Sequence, residues 1–161
     1  MKQKPQELQK EIKFYKHKIE GQVKFHEVDS LGVLHNIQYF YILEWARIKY
    51  LEYLGIPLTN RTFTLENPIM TVHHEIDYFH PAMLSDMYDA FSRVVEIKDS
   101  SMKFENLIVH ENGKIMAKAK ATLVYLNPED YKPARIPDHL REKIKSMEGD
   151  NVKFIQKEKD V

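Results

Sequence analysis

The sequence contains no cysteine, which excludes disulfides, thiolate catalysis and cysteine-ligated metal together and fits a reducing compartment such as the cytoplasm. Net charge is missing as well, because 24 basic and 24 acidic residues cancel to +0. No overall field therefore draws the chain to nucleic acid, and a phosphate-bearing ligand would need a local basic patch. No apolar run approaches the roughly 20 residues of a membrane span. The opening MKQKPQELQKEIKF is charged throughout and lacks the apolar centre of a secretory signal. There is no Gly-rich phosphate loop, no G-x-S-x-G elbow and no internal repeat. Eight histidines raise the question of metal, but His73 and His74 point to opposite faces of a strand. His26-Glu27 also lacks the second histidine of a zinc helix, so no metal site is expected.

What the chain does have is one strong helical pattern, in HEVDSLGVLHNIQYFYILEWARIKYLEYLG, residues 26–55. At about 100° per residue, Ile42, Tyr53, Ala46, Tyr39, Tyr50, Leu43 and Leu54 fall within an arc of roughly 120° free of polar residues. The spacing predicts a helix over about 37–54 that buries this face. Its other side mixes Glu44, Arg47, Lys49 and Glu52 with Ile37, Phe40, Tyr41, Trp45, Ile48 and Leu51, too much apolar bulk for a solvated face. Such a helix is expected to have a sheet on one side and a second subunit or a ligand on the other. Asn36 is a good N-cap type, and Gly55 before Ile56-Pro57 is a stop signal. Glu44 and Arg47 read as an i, i+3 surface pair.

The remainder is a series of strands within a chain of 161 residues, 43% apolar and 30% charged, the size and balance of one globular domain. Alternation predicts a strand over residues 18–24 with Ile19, Gly21, Val23 and Phe25 on one side, and another over 69–79 ended by Pro81. Further strands follow at 88–97, 103–110 and 115–126, the last two joined by the Asn112-Gly113 hairpin signal. Ile115, Ala117, Ala119, Ala121 and Leu123 share one face opposite Met116, and three successive alanines imply the close approach of something bulky. Residues 58–67 read as a connecting loop. Residues 1–16 form a charged extension, a short helix or a frayed end. The domain proper spans 17–137, and 138–161 hold a short helix at 138–147 and a loose charged tail. Strand, long helix and four antiparallel strands make the class α+β.

A helix N-terminus carries unpaired N–H groups and partial positive charge, so a loop ending there offers a place to polarise a carbonyl oxygen. Asp29, seven residues before Asn36, can fold back across the same mouth. Plain readings stand beside these: Asp29 as a turn residue, Gly32 as turn geometry, Asn36 as a cap, His35 as a cover for the helix entrance, and Tyr39 as core.

The run Asp29-Ser30-Leu31-Gly32-Val33-Leu34-His35-Asn36, followed by Tyr39 and Glu44-Trp45-Ala46-Arg47, resembles the signature of the hotdog-fold thioesterases of the 4-hydroxybenzoyl-CoA thioesterase type. Tyr78-Phe79-His80-Pro81-Ala82 resembles the same family's Y-x-x-P-A segment, and the likeness spans about residues 17–137. It implies a hotdog fold, a curved antiparallel five-stranded sheet wrapped around one long central helix, and an acyl-CoA thioesterase. In that family the residue matching Asp29 attacks the thioester carbonyl or activates a water, and Asn36 at the helix N-terminus would supply the oxyanion site. Gly32, His35, Tyr39 and Tyr78 would contact substrate, with residues 58–67 as a further candidate lining of the acyl pocket. Coenzyme A is then substrate and not cofactor. The partner implied is a second copy, in a homodimer or homotetramer with active sites at the subunit interface, and neither nucleic acid nor membrane. The His35-Asn36 pair leaves the carrier open, so an acyl carrier protein thioesterase stands as an alternative, as does a hotdog protein that only binds acyl-CoA.

Overall fold

In the computed structural model residues 4–56 and 68–155 are described; the connecting loop at 58–67 lies outside them. The elements run α1 (Pro5–Glu11), β1 (His17–Gln22), α2 (Asn36–Tyr53), β2 (Ile69–Tyr78), β3 (Met87–Ile97), β4 (Ser101–His110), β5 (Ile115–Tyr125), α3 (Asp138–Glu148) and β6 (Lys153–Phe154). The sheet order is β1-β3-β4-β5-β2, the arrangement expected of a hotdog fold with one long helix, and β6 adds a short parallel pairing to the end of β3. By contact density the chain divides into two units. Residues 1–50, 76–93 and 106–119 make the first, and 51–75, 94–105 and 120–161 the second.

In the first unit the sheet is covered on both faces. Tyr39, Ile42, Leu43 and Ala46 of α2 pack against Ala90, Ile108, Met116, Ala117 and Ala119, so the small side chains of β5 sit under the bulk of the helix. Leu8 and Tyr15 pack against Leu107, Val109 and Ile115 in a separate cluster. Burying Leu8 completely is worth about 1.5–3 kcal/mol. Glu11 reaches Lys118 Nζ at 3.1 Å and Arg93 at 4.0 Å. The N-terminal segment from residue 4 is thus a docked helix and not a frayed end, because one leucine and one carboxylate find partners on the sheet.

Four expectations are corrected here. Ile42, Ala46, Tyr39, Tyr50, Leu43 and Leu54 of the expected arc are buried, but the buried face extends further round α2: Tyr53, the last helical residue, is 70% exposed, while Arg47 is only 5% exposed and Leu51 is buried. Burial takes the Arg47 guanidinium down to about 10, against the pull of Glu44. No ion pair joins it to Glu44, and its Nη1 has no partner among the described residues. Strand β1 ends at Gln22, so Phe25 lies in a following 3-10 turn, 81% exposed. The faces of β5 do not alternate from end to end: Ile115 joins the α1 cluster, and both Met116 and Ala117 join the α2 cluster. The Met116 carbonyl accepts from both Phe79 N–H (2.8 Å) and His80 N–H (3.3 Å), the two-against-one pattern of a β-bulge whose extra residue lies at Phe79-His80, just past the end of β2.

The fourth correction belongs to the second unit. There α3 runs through Glu148 and buries Leu140 and Ile144, and the Arg141 guanidinium donates to the Lys98 carbonyl at 2.7 Å. The tail is not loose as far as residue 155: Val152 is buried, Lys153 and Phe154 pair with Glu96 and Ile97, and Ile155 N–H donates to Ile97 O.

Candidate active site

The Asp29 loop is a small hairpin built from its own sequence. Val28 and Leu34 pair across it, Asp29 N–H donates to Val33 O (2.9 Å), and Gly32 N–H closes the turn on Asp29 O (2.9 Å). Gly32 sits at φ 74°, in the left-handed region where a Cβ costs about 1–2 kcal/mol. Leu31 N–H and Val33 N–H donate to Asp29 Oδ1 at 2.8 and 3.4 Å. The carboxylate is thereby oriented, and Oδ2 has no partner among the described residues. Two links fix the hairpin to the rest of the first unit: Leu34 N–H to Ala82 O (2.8 Å), and a bridge between Val33 and Met83.

The helix that follows starts one residue earlier than its cap chemistry predicts. Asn36 is the first residue of α2, and the capping position falls to His35, whose Nδ1 accepts from Ile37 N–H at 3.2 Å while its carbonyl accepts from Gln38 N–H. The Asn36 N–H has no partner among the described residues and stands at the positive end of an 18-residue helix.

Asp29, Val33, Leu34, Asn36, Tyr39, Tyr78, Phe79, His80 and Pro81 line one open cavity of about 370 Å³. Four of the six site residues expected from sequence, Asp29, Asn36, Tyr39 and Tyr78, therefore meet at one place. Gly32 and His35 do not line it; one shapes the Asp29 turn and the other caps α2. Tyr39 and Tyr78 form an edge-to-face pair with ring centroids 5.0 Å apart. Burial, with Tyr78 adding to it, pushes the Tyr39 phenol up to about 12, and burial also raises Tyr78. Both remain neutral hydroxyls near neutral pH.

His80 is the wall residue that sequence reasoning passed over, although it stands inside the quoted Tyr78-Phe79-His80-Pro81-Ala82 segment. Its ring packs edge-to-face on His110, centroids 5.5 Å apart. His110 Nε2–H donates to Asp86 Oδ2 at 2.9 Å, and its Nδ1 accepts from Asn112 N–H at 3.1 Å. Asp86 Oδ2 also accepts from Met83 N–H at 2.7 Å, and these two contacts, the backbone bond first, hold its carboxyl below the usual range. Asp86, His110 and Glu111 bring three possible metal-ligand atoms within 4.8 Å of one another. The hydrogen bonds suit a metal poorly, since a neutral imidazole ligating through Nε2 would turn an Nδ1–H against the Asn112 N–H. What the group does is fix the wall behind His80. Burial, together with Lys114 and His110, lowers the affinity of His80 for a proton, with Asp86 opposing.

Comparison with known proteins places this geometry in context. The model of the thioesterase-like superfamily matches residues 23–144. A 1,4-dihydroxy-2-naphthoyl-CoA hydrolase of Rippkaea orientalis is 27% identical over 129 residues, 79% of this chain and 94% of that protein. An acyl-acyl carrier protein thioesterase of Arabidopsis thaliana, ATL2, is also 27% identical over 129 residues, 78% of this chain and 66% of that protein. Among solved structures, a Thermus thermophilus thioesterase complexed with coenzyme A and Zn superposes with a TM-score of 0.73 at 29% identity, covering 84% of this chain and 96% of that one.

Proposed function

The chain belongs to the thioesterase-like superfamily, and on that premise we propose that it hydrolyses an acyl-CoA thioester to a free acid and coenzyme A at the cavity beside the head of α2. The observation that carries this reading is the meeting of Asp29 with Asn36, the first residue of α2, in the lining of one cavity. A thioester carbonyl oxygen seated on the Asn36 N–H would gain a donor where negative charge develops. Its carbonyl carbon would then lie within reach of Asp29 Oδ2, acting as nucleophile or as base on a water. The thiolate is a good leaving group, so little more is required. Tyr39 and Tyr78 offer an aromatic wall for the acyl group or the thiol arm.

The reading includes a cytoplasmic location and a second copy at the site; among the described residues no helix is long and apolar enough to cross a membrane. Two features support the second copy. Among the described residues strand β2 ends the sheet order, with Met70, Val72 and Tyr78 exposed, and an end strand is where another chain can pair. Along α2, Ile37, Tyr41 and Trp45 stand exposed at i, i+4 and i+8. The likeness to an acyl carrier protein thioesterase favours, as a second reading, the same chemistry on a protein-borne thioester.

Thiol release measured over a panel of acyl-CoA and acyl carrier protein substrates separates the readings. Asp29→Asn is expected to lower the rate by about 10²–10⁴-fold. Full activity in that variant removes Asp29 from the mechanism, and acyl-CoA binding without hydrolysis of any thioester leaves only a binding protein.

A further inference from the structure

Resting on the thioesterase reading, a second question can be put to the same cavity: what activates the water. A carboxylate that attacks the thioester itself is acylated when water arrives, and cannot then accept the water's proton. Four titratable side chains line the cavity, Asp29, Tyr39, Tyr78 and His80. Both tyrosines are pushed upward, Tyr39 to about 12, and a phenol that stays protonated is no base. That leaves His80. Neither of its ring nitrogens has a hydrogen-bond partner among the described residues, and its ring is held against His110, which Asp86 and the Asn112 N–H lock from both sides.

We propose that hydrolysis here runs in two steps, with Asp29 as the nucleophile and His80 as the base that takes a proton from the water releasing the acyl group. In the first step Asp29 Oδ2 bonds to the carbonyl carbon, the C–S bond breaks, and sulfur leaves as thiolate. In the second, water oxygen bonds to the same carbon, one water proton passes to a ring nitrogen of His80, and the C–O bond to Asp29 breaks, restoring its carboxylate. The released acid loses the other proton to solvent, the thiolate gains one from solvent, and His80 returns its own. The charged groups facing His80 are Lys114 and the His110–Asp86 pair, with Asp29 across the cavity. Burial first, then Lys114 and His110, disfavour a positive charge on the ring, while Asp86 opposes them, and the net lowering keeps the imidazole available as an acceptor at neutral pH.

The test is rapid-quench kinetics on the full chain with benzoyl-, hexanoyl- and palmitoyl-CoA. His80→Gln is expected to release one thiol per site in a burst and then turn over about 10²–10⁴-fold more slowly. Intact mass should show an acyl adduct that maps to the peptide bearing Asp29. His80→Ala should recover part of its rate with added imidazole, and the acid limb of the wild-type pH profile should vanish in both variants. A His80→Gln enzyme with the wild-type rate overturns the proposal, and so does a slow one without burst, adduct or a lost acid limb, which would give His80 a packing role. Wild-type protein that releases no thiol from any substrate is a different failure, since it removes the thioesterase reading itself.

Discussion

Gly21 and Tyr88 face one another across the β1–β3 pairing, and a Cβ at Gly21 would collide with the Tyr88 ring. The ring lies where a side chain of β1 would otherwise be, and burial first, then Glu27, pushes its phenol up to about 12. Gly21→Ala is expected to cost about 1–3 kcal/mol in urea unfolding, the range for overpacking. Combined with Tyr88→Ala it should cost less than the sum of the two, since the collision is then gone. Equal, additive losses would mean that Gly21 matters for its backbone alone. Sequence signals at this scale were uneven. The two quoted motifs brought Asp29, Asn36, Tyr39 and Tyr78 to one cavity, because each motif sits at the end of an element whose position the fold dictates. His80 lies in the second motif, but its exposure to the cavity depends on packing against His110, thirty residues away, and no local period reports that. Arg47 failed for a related reason: charge type predicted a surface pair with Glu44, whereas the arc of α2 that is buried takes the guanidinium with it.

At the scale of elements the long periodic segments were readable, and so was α3, expected at 138–147 and observed over Asp138–Glu148, whereas α1 was ambiguous and β6 gave no signal. Helix α2 and the five long strands appeared within a few residues of their observed bounds, because alternation or helical spacing persisted over ten or more positions in most of them. The bulge at Phe79-His80 was invisible, since an extra residue changes which face a side chain takes without changing the residue types. Its effect is functional: it sets the end of β2, and with it Phe79 and His80, against the cavity. Helix α1 was ambiguous for a similar reason. Leu8 and Ile12 at i, i+4 read the same in a docked helix as in a frayed one, and the decision lies with Leu107, Val109 and Ile115, about a hundred residues downstream. Leu8→Ala is expected to lower stability by about 2–5 kcal/mol, measured as the urea midpoint. A change within experimental scatter would mean that α1 is not held in solution.

For the molecule as a whole, acid should be the weak side. Burial lowers the proton affinity of His17, and burial with Lys114 and His110 lowers that of His80, both from 6.5. The unfolded chain therefore takes up these protons first, so their contribution is complete above 6.5 and is lost as pH falls toward the native values. Asp86, held below 3.8 by the Met83 N–H and His110, contributes above that value and adds a second loss as pH falls through its native one. The urea midpoint should be higher at about pH 8 than at about pH 5, and the reverse order would contradict these shifts. Assembly is the other property of this scale. Among the described residues β2 ends the sheet and exposes the apolar side chains of Met70, Val72 and Tyr78 together. Monomers usually protect such an edge with charge, proline or a covering segment. If a second copy completes the site by pairing there, light scattering should give at least twice the 19.2 kDa of one chain. Val72→Lys, which places a charge on that edge, should shift the mass toward the monomer and reduce thiol release in step with it, because the cavity beside the end of β2 loses its neighbour. Wild-type protein that stays monomeric at full activity would mean that the cavity is complete within one chain, and that the exposed edge has some other use.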